Sequence, residues 1–288
     1  MNLRPVELVQ GLKDFMGELE WSQESTADSF SVTEEAIVRE LDATIRRLWR
    51  RFIGAHGSRW TKTEDITPGS TTETALTAQD RFAGLVAVYD ESRNRIPVVP
   101  YHQERDFYDR GQQVAWIREV DGTIKIGFTF PDSAGTAKVF YLEGPRRIIG
   151  KRGTVTGTYQ ATVPFWANRT SGYYSTAANY VESIQIVNGQ PDISTWKRGL
   201  VTSYDGTTLV WATGTAADDV FWCVEPEWAP EEARDLIVID AAIRLRRLEG
   251  NVPENWHYAL QRAELDFRAA YHPDIAGHLA PAILQDLM

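Results

Sequence analysis

Residues 121–145 constrain what this chain can fold into more than any other stretch. Asp121-Gly122 stands between two alternating runs, Trp116 to Val120 and Thr123 to Phe130. An Asp-Gly pair tolerates the positive φ angles of a type I′ turn, so the two runs are predicted to form an antiparallel hairpin. Phe130-Pro131 then breaks the pattern. A second strand, Lys138 to Leu142, ends in the aromatic pair Phe140-Tyr141 and a Gly144-Pro145 stop. A chain with this centre must build antiparallel sheet, and its helical periodicity is confined to the two ends.

At the N-terminal end, Leu8, Leu12, Phe15, Met16 and Leu19 recur at three- and four-residue steps, which predicts a helix from about Pro5 to Leu19. A second helix opens at the capping-box pattern Ser31-Val-Thr-Glu34, carries the stripe Ile37, Leu41, Ile45, Leu48, Trp49 and Phe52, and stops at Gly54. Arg46, Arg47, Arg50 and Arg51 crowd its last turns. They read either as a patch facing DNA or an acidic partner, or as a solvated face that favours the negative helix end, with Asp42 pairing to Arg46.

From Trp60 to Leu142 the period is strand-like, and the prolines of Ile96-Pro97-Val98-Val99-Pro100 predict an edge strand or extended arm. Residues 146–225 form a second β-rich stretch, opening with a predicted linker, Gly150-Lys151-Arg152-Gly153. Asn188-Gly189 and Asp205-Gly206 mark two more turns. Tyr173, Tyr174 and Tyr180 lie among Ser, Thr, Ala and Asn, a composition that predicts an exposed contact loop. Pro230-Glu231-Glu232 then opens a helix that ends at Gly250, and Pro253 to Tyr271 continues as a second, stopped by Pro273. Ile275, Leu279, Ile283, Leu284 and Leu287 follow at helical spacing, read as a frayed end or as a tail that docks on a partner.

The expected fold class is α+β. N- and C-terminal helices, the latter an αα-hairpin, would form a helical body around a β-rich antiparallel middle region. The expected segments are 1–57, 58–145, 146–227 and 228–288.

A formal charge of −10 argues against a protein whose task is coating DNA or an anionic membrane. Cys223 is the sole cysteine of 288 residues, so no internal disulfide forms, and its apolar neighbours predict burial. Residues 1–10 lack the basic head and apolar run of an export signal, and no apolar run is long enough to span a bilayer. The Asn168-Arg169-Thr170 acceptor pattern is therefore read as chance.

No catalytic pattern is evident. His56, His102, His257, His272 and His278 show no zinc-site spacing, and no nucleophile elbow, phosphate loop or dinucleotide fingerprint occurs. No catalytic residue, metal or cofactor is expected. Carboxylates with no fixed spacing (Glu104, Asp106, Asp109, Asp218, Asp219, Glu225, Glu227) keep a polysaccharide hydrolase among the alternatives. Ten tryptophans are read either as core filling or as a stacking surface, with Trp166 and Trp196, beside Tyr173 and Tyr174, as candidate glycan, tail or fibre contacts.

The order of these elements resembles head-to-tail adaptor (connector) proteins of tailed bacteriophages. The resemblance is carried by the helix Thr33 to Phe52, Ile96-Pro97, the hairpin Gly122-Thr-Ile-Lys-Ile with Phe130-Pro131, the strand Lys138 to Leu142, and the helical pair Leu236 to Tyr271. It covers roughly residues 31–145 and 228–272. It implies a non-enzymatic virion protein at the head–tail neck, assembled in the host cytoplasm as a homo-oligomeric, usually dodecameric, ring. That ring would contact the portal protein above and a tail or nozzle protein below, and viral DNA would pass through its lumen. The tail Ile275 to Leu287 would reach the portal, and residues 146–227 would be an insertion turned towards a tail component. A β-rich receptor- or carbohydrate-binding virion module is the alternative from another class.

Overall fold

The computed structural model describes residues 3–17, 32–52, 60–67, 73–77, 81–121, 123–129, 135–167, 169, 173–174, 179–248 and 252–276, the last six as backbone only. The chain divides into two compact units: a middle unit, Arg50–Gly144, and a terminal unit that joins Met1–Trp49 to Pro145–Met288.

The middle unit holds two antiparallel sheets. One runs in the order β1 (Thr61–Ile66), β7 (Ala137–Glu143), β3 (Phe82–Tyr89), β4 (Arg95–Ile96). The other runs β2 (Glu73–Ala75), β6 (Thr123–Phe128), β5 (Ala115–Val120). β5 and β6 pair from Ala115↔Phe128 to Val120↔Thr123, and Asp121 takes a φ of +52° at the turn. Only Gly fits at position 127, because a Cβ there would stand 2.4 Å from the Trp116 indole on the neighbouring strand. β4 is cut to two residues by Pro97, after which Val98 bridges to Ala115 in parallel. The core is apolar: Ile66, Leu76, Val88, Ile96, Ile126, Phe128 and Val139 are all buried. Between β4 and β5 lies one short helix, α3 (Glu104–Asp109).

The terminal unit is organised by a larger sheet in the order β8 (Gly150–Val155), β14 (Ala217–Val224), β10 (Tyr180–Val187), β12 (Lys197–Tyr204), β13 (Thr208–Trp211), β9 (Gln160–Thr162), with β11 (Gln190–Pro191) on β10. β8 and β9, the ends of this order, come close to one another, so the sheet curls towards a barrel. Its interior holds Trp211 stacked on Trp222 at 5.9 Å and Tyr174 edge-on to Tyr204 at 5.0 Å. Burying each such ring contributes about 1.5–3 kcal/mol. At the β12–β13 turn the Asp205 carboxylate accepts the Thr207 and Thr208 amides at 2.8 and 2.7 Å. At the β10–β11 turn Asn188 and Gly189 take φ of +51° and +72°.

The helices of this unit are α1 (Pro5–Met16), α2 (Glu34–Phe52, whose last three residues lie beyond the unit's boundary), α4 (Arg234–Leu248) and α5 (Glu254–Ala276). α1 packs on α4 and touches β14, and α5 packs on α4. Among the described residues none is long and apolar enough to cross a membrane.

Four expectations are corrected. The helical body is not formed: antiparallel sheets dominate, and α1, α4, α5 and most of α2 share one unit with the residue 150–224 sheet. The reason is that helical periodicity fixes which face is apolar but not what covers that face. Gly150–Gly153 is not a linker but the start of β8; a Cβ at Gly150 would stand 2.5 Å from the Trp222 carbonyl, so Gly there serves close strand approach. At the start of α2 the Ala36 amide bonds to the Thr33 hydroxyl at 3.3 Å, so Thr33 caps the helix; Ser31 lies outside the described residues. Finally, α5 continues to Ala276 past Pro273, since a proline's fixed φ suits a helix although one hydrogen bond is lost.

Candidate functional site

The four arginines of α2 separate into two pairs. Arg46 bonds the Asp42 carboxylate at 3.1 Å, one turn back. Arg47 bonds the Thr44 hydroxyl at 3.3 Å and forms an ion pair with Asp240 of α4. Arg50 and Arg51 are exposed, with the Arg51 guanidinium 5.2 Å from the Phe52 ring. The second pair faces solvent. The first is used within the fold.

The aromatic candidates are not one surface. Tyr174 is fully buried in the sheet interior, and burial pushes its phenol pKa well up. The expected contact loop thus delivers a core residue instead. Tyr173 stacks edge-on against it at 4.7 Å, and its hydroxyl accepts the Arg147 amide at 3.2 Å. Trp166 is half-buried and donates its ring N–H to Glu35 at 2.8 Å, while the Arg4 guanidinium lies 4.8 Å over Trp196. The neighbour of Trp166 is more available: Phe165 is 85% exposed.

Of the tail stripe, Ile275 falls in the backbone-only end of α5, and Leu279, Ile283, Leu284 and Leu287 lie outside the described residues, as do His56, the side chain of His272, and His278. His102 is exposed and His257 half-buried. Among the described residues no group of three or more His, Cys, Asp or Glu is arranged to hold a metal ion. Cys223 is fully buried, which raises its thiol pKa.

Three of the seven carboxylates with a hydrolytic reading are engaged. Asp219 forms a two-pronged ion pair with Arg152, Glu225 pairs with Arg198, and Glu227 accepts the Arg146 amide at 3.0 Å. Glu104, Asp106 and Asp109 sit on α3 in the middle unit, whereas Glu225 and Glu227 belong to the terminal unit. Clefts with several charged side chains occur in each unit. One in the middle unit, about 500 Å³, is lined by Asp65, Tyr89, Glu91, Arg93, Lys138 and Phe140. Another in the terminal unit, about 380 Å³, is lined by Glu34, Glu35, Lys151, Arg152, Thr154 and Asp218. Neither sets a nucleophile beside a base.

Buried ionisable groups of the terminal unit escaped the sequence reading. Lys13 and Glu34 form an ion pair of 3.1 Å with side chains 0% and 1% exposed. Asp42 accepts the Ile148 amide at 3.0 Å, and burial raises its pKa despite Arg46. Glu182, on β10, is fully buried, and burial pushes its pKa up to about 7. The available signal was a lone carboxylate inside the apolar run Val181-Glu182-Ser183-Ile184.

Helix α5 carries two of the exposed large apolar side chains among the described residues. Trp256 packs on Phe15 at 4.7 Å and Phe267 on Trp228 at 6.5 Å, which fixes one face of the helix. On the helix, Tyr258 and Leu265 are left 65% and 67% exposed two turns apart, and Arg262 and Asp266, exposed beside them, pair with one another at 3.8 Å. No family model matches this chain, and no curated protein matches it in sequence.

Proposed function

We propose that this chain is a non-enzymatic structural protein of a tailed-phage virion, an adaptor whose copies form a ring between portal and tail and surround the DNA passage. The observation that carries the reading is the exposed face of α5. A stripe of large apolar side chains, flanked by an exposed Arg262–Asp266 ion pair of 3.8 Å within the helix, suits contact with an identical neighbour. Exposed Arg50 and Arg51 supply charge for DNA or an acidic partner. Asp219, Glu225 and Glu227 are committed to Arg152, Arg198 and the Arg146 amide, which withdraws three of the seven carboxylates from a hydrolase's acid–base pair, and burial of Tyr174 removes one residue from the glycan-contact reading.

Two measurements test the proposal together. Native mass spectrometry of the purified chain is expected to show a ring-sized oligomer that Leu265→Glu with Tyr258→Glu reduces to monomer. Electron microscopy of particles from a phage lacking the gene is expected to show tailless or DNA-leaking heads. Complete tailed particles that fail only at host attachment would overturn the adaptor reading in favour of receptor binding.

A further inference from the structure

The first turn of α1 is held by a carboxylate far away in sequence. Arg4, the residue before the helix, offers no side-chain cap of its own, and Pro5 has no N–H to satisfy. The Val6 amide instead points at Glu182 Oε2, 3.4 Å away on β10. Glu182 is 0% exposed, and its second oxygen, Oε1, has no hydrogen-bond partner among the described residues. An ionised carboxylate in that position is half-satisfied in a dry site, which costs far more than the same group protonated.

The surroundings relieve the charge only in part: the Val6 amide, Arg4 and Trp196 favour the ionised form, and burial outweighs them. Across the sheet Glu182 stands opposite Arg198 on β12 and Cys223 on β14. Arg198 is committed to Glu225, bonding it at 2.7 Å, and stacks 3.6 Å from the Tyr180 ring. Glu225 adds a like charge near Glu182. Arg4, the cation on the α1 side, lies over Trp196 and pairs with Glu7 at 3.8 Å. Of the groups that favour the ionised form, the Trp196 side chain contributes least. Helix α1 is otherwise well anchored, by the Lys13–Glu34 pair at its far end and by the Leu3 amide on the Ala229 carbonyl at 2.7 Å.

We propose that Glu182 is a proton-controlled clamp on the N-terminal turn of α1. Protonated, it seals that turn against β10. On losing its proton to solvent, it draws water into the site and opens the turn. The clamp is independent of ring formation and holds for the monomer.

The test is amide hydrogen exchange of the full chain from pH 5 to pH 8.5, corrected for intrinsic exchange rates, read at Val6, Leu8 and Val9. If opening exposes Glu182, its opening constant rises about tenfold per pH unit up to the pKa of about 7 and then levels off. Glu182→Gln is expected to give opening that does not change with pH. Glu225→Gln, which removes the like charge and leaves α1 untouched, is expected to move the plateau to lower pH. Opening that is flat with pH in the parent chain overturns the clamp, as does a slope that survives Glu182→Gln. Should Glu182→Gln fail to fold, carboxyl-carbon NMR of the parent chain decides: a Glu182 midpoint below about pH 5 rejects the proposal.

Discussion

The middle and terminal units solve the same problem with different materials. The middle unit is one contiguous segment, Arg50–Gly144, whose buried side chains are apolar apart from Thr129. The terminal unit gathers both ends of the chain, and seven of the eight buried polar residues described belong to it: Lys13, Glu34, Asp42, Thr44, Asn179, Glu182 and Ser183. Several of these join segments distant in sequence. Lys13 joins α1 to α2, Asp42 joins α2 to Ile148, and Glu182 joins β10 to α1. A contiguous segment keeps many of its contacts local, whereas a unit assembled from both ends must bring distant segments together. Buried polar groups add little net stability but penalise every wrong pairing. The difference suggests that buried charge here specifies which segments meet, while apolar burial supplies the stability of both units.

The largest effects should come from breaking each unit by its own material. Lys13→Met leaves Glu34 buried and unpaired, and is expected to destabilise the terminal unit by about 3–5 kcal/mol. Adding Glu34→Leu should recover most of the loss, since the pair's role is specification. Urea unfolding of both variants checks this; a double variant as unstable as the single one would show that the pair contributes net stability. Phe128→Ala should cost the middle unit about 3–5 kcal/mol, with no second change able to restore it by removing a charge. Hydrogen exchange resolved by unit would show each loss confined to its own side.

The two units should also respond to pH with opposite signs. In the terminal unit Glu182 is raised from 4.5 to about 7, and Asp42 and Glu40 are raised, all chiefly by burial. Between those values the folded state binds more protons than the unfolded, so stability falls as pH rises from about 5 to 7, by up to about 3 kcal/mol for Glu182. In the middle unit Glu73 is lowered by its bonds to Arg118, and Asp90 by its bonds to Asn94. Their contribution is complete above the ordinary carboxylate range and is lost as pH falls through their depressed values. Acidification from 7 to 5 should therefore slow exchange in the terminal unit and leave the middle unit unchanged. Further acidification below about 4 should weaken the middle unit. Parallel pH profiles would remove the contrast.

What was legible follows from the same contrast. The middle unit speaks through alternation and turn chemistry, so Asp121-Gly122 and the Pro97 interruption place its hairpin and its short edge strand from local wording alone. Asn188-Gly189 and Asp205-Gly206 do the same for two turns of the larger sheet. The terminal unit's assembly was not legible, because no local pattern says that α1 meets β10 or that the residue 150–224 sheet shares a unit with the end helices. Gly150–Gly153 read as a linker since glycine serves both flexibility and close approach, and only the facing Trp222 carbonyl decides between them. Tyr174 read as exposed from its polar neighbours in sequence, although its neighbours in space are Tyr173 and Tyr204. Glu182 was visible as an odd residue in an apolar run, but its amide partner lies 176 positions away.

The smallest expected effects separate the arginines of α2, which end on the boundary between the units. Arg47→Ala removes one of the two cations of Asp240, whose carboxylate is only 14% exposed and keeps Arg244 at 3.8 Å, so a loss of about 1 kcal/mol is expected in the terminal unit. Arg46→Ala acts on Asp42 in the same direction, leaving that buried carboxyl without its main cation and raising its pKa further. Arg50→Glu with Arg51→Glu alters two exposed side chains and should change stability by less than about 0.5 kcal/mol. Under the adaptor proposal that second pair should nevertheless impair ring assembly or genome retention in reconstituted particles. Normal particles from Arg50→Glu with Arg51→Glu would make the exposed pair a solvated helix end. Impaired particles at unchanged stability would assign the charge at this end of α2 to a partner, and would leave Arg46 and Arg47 as the residues that bind the helix into its own unit.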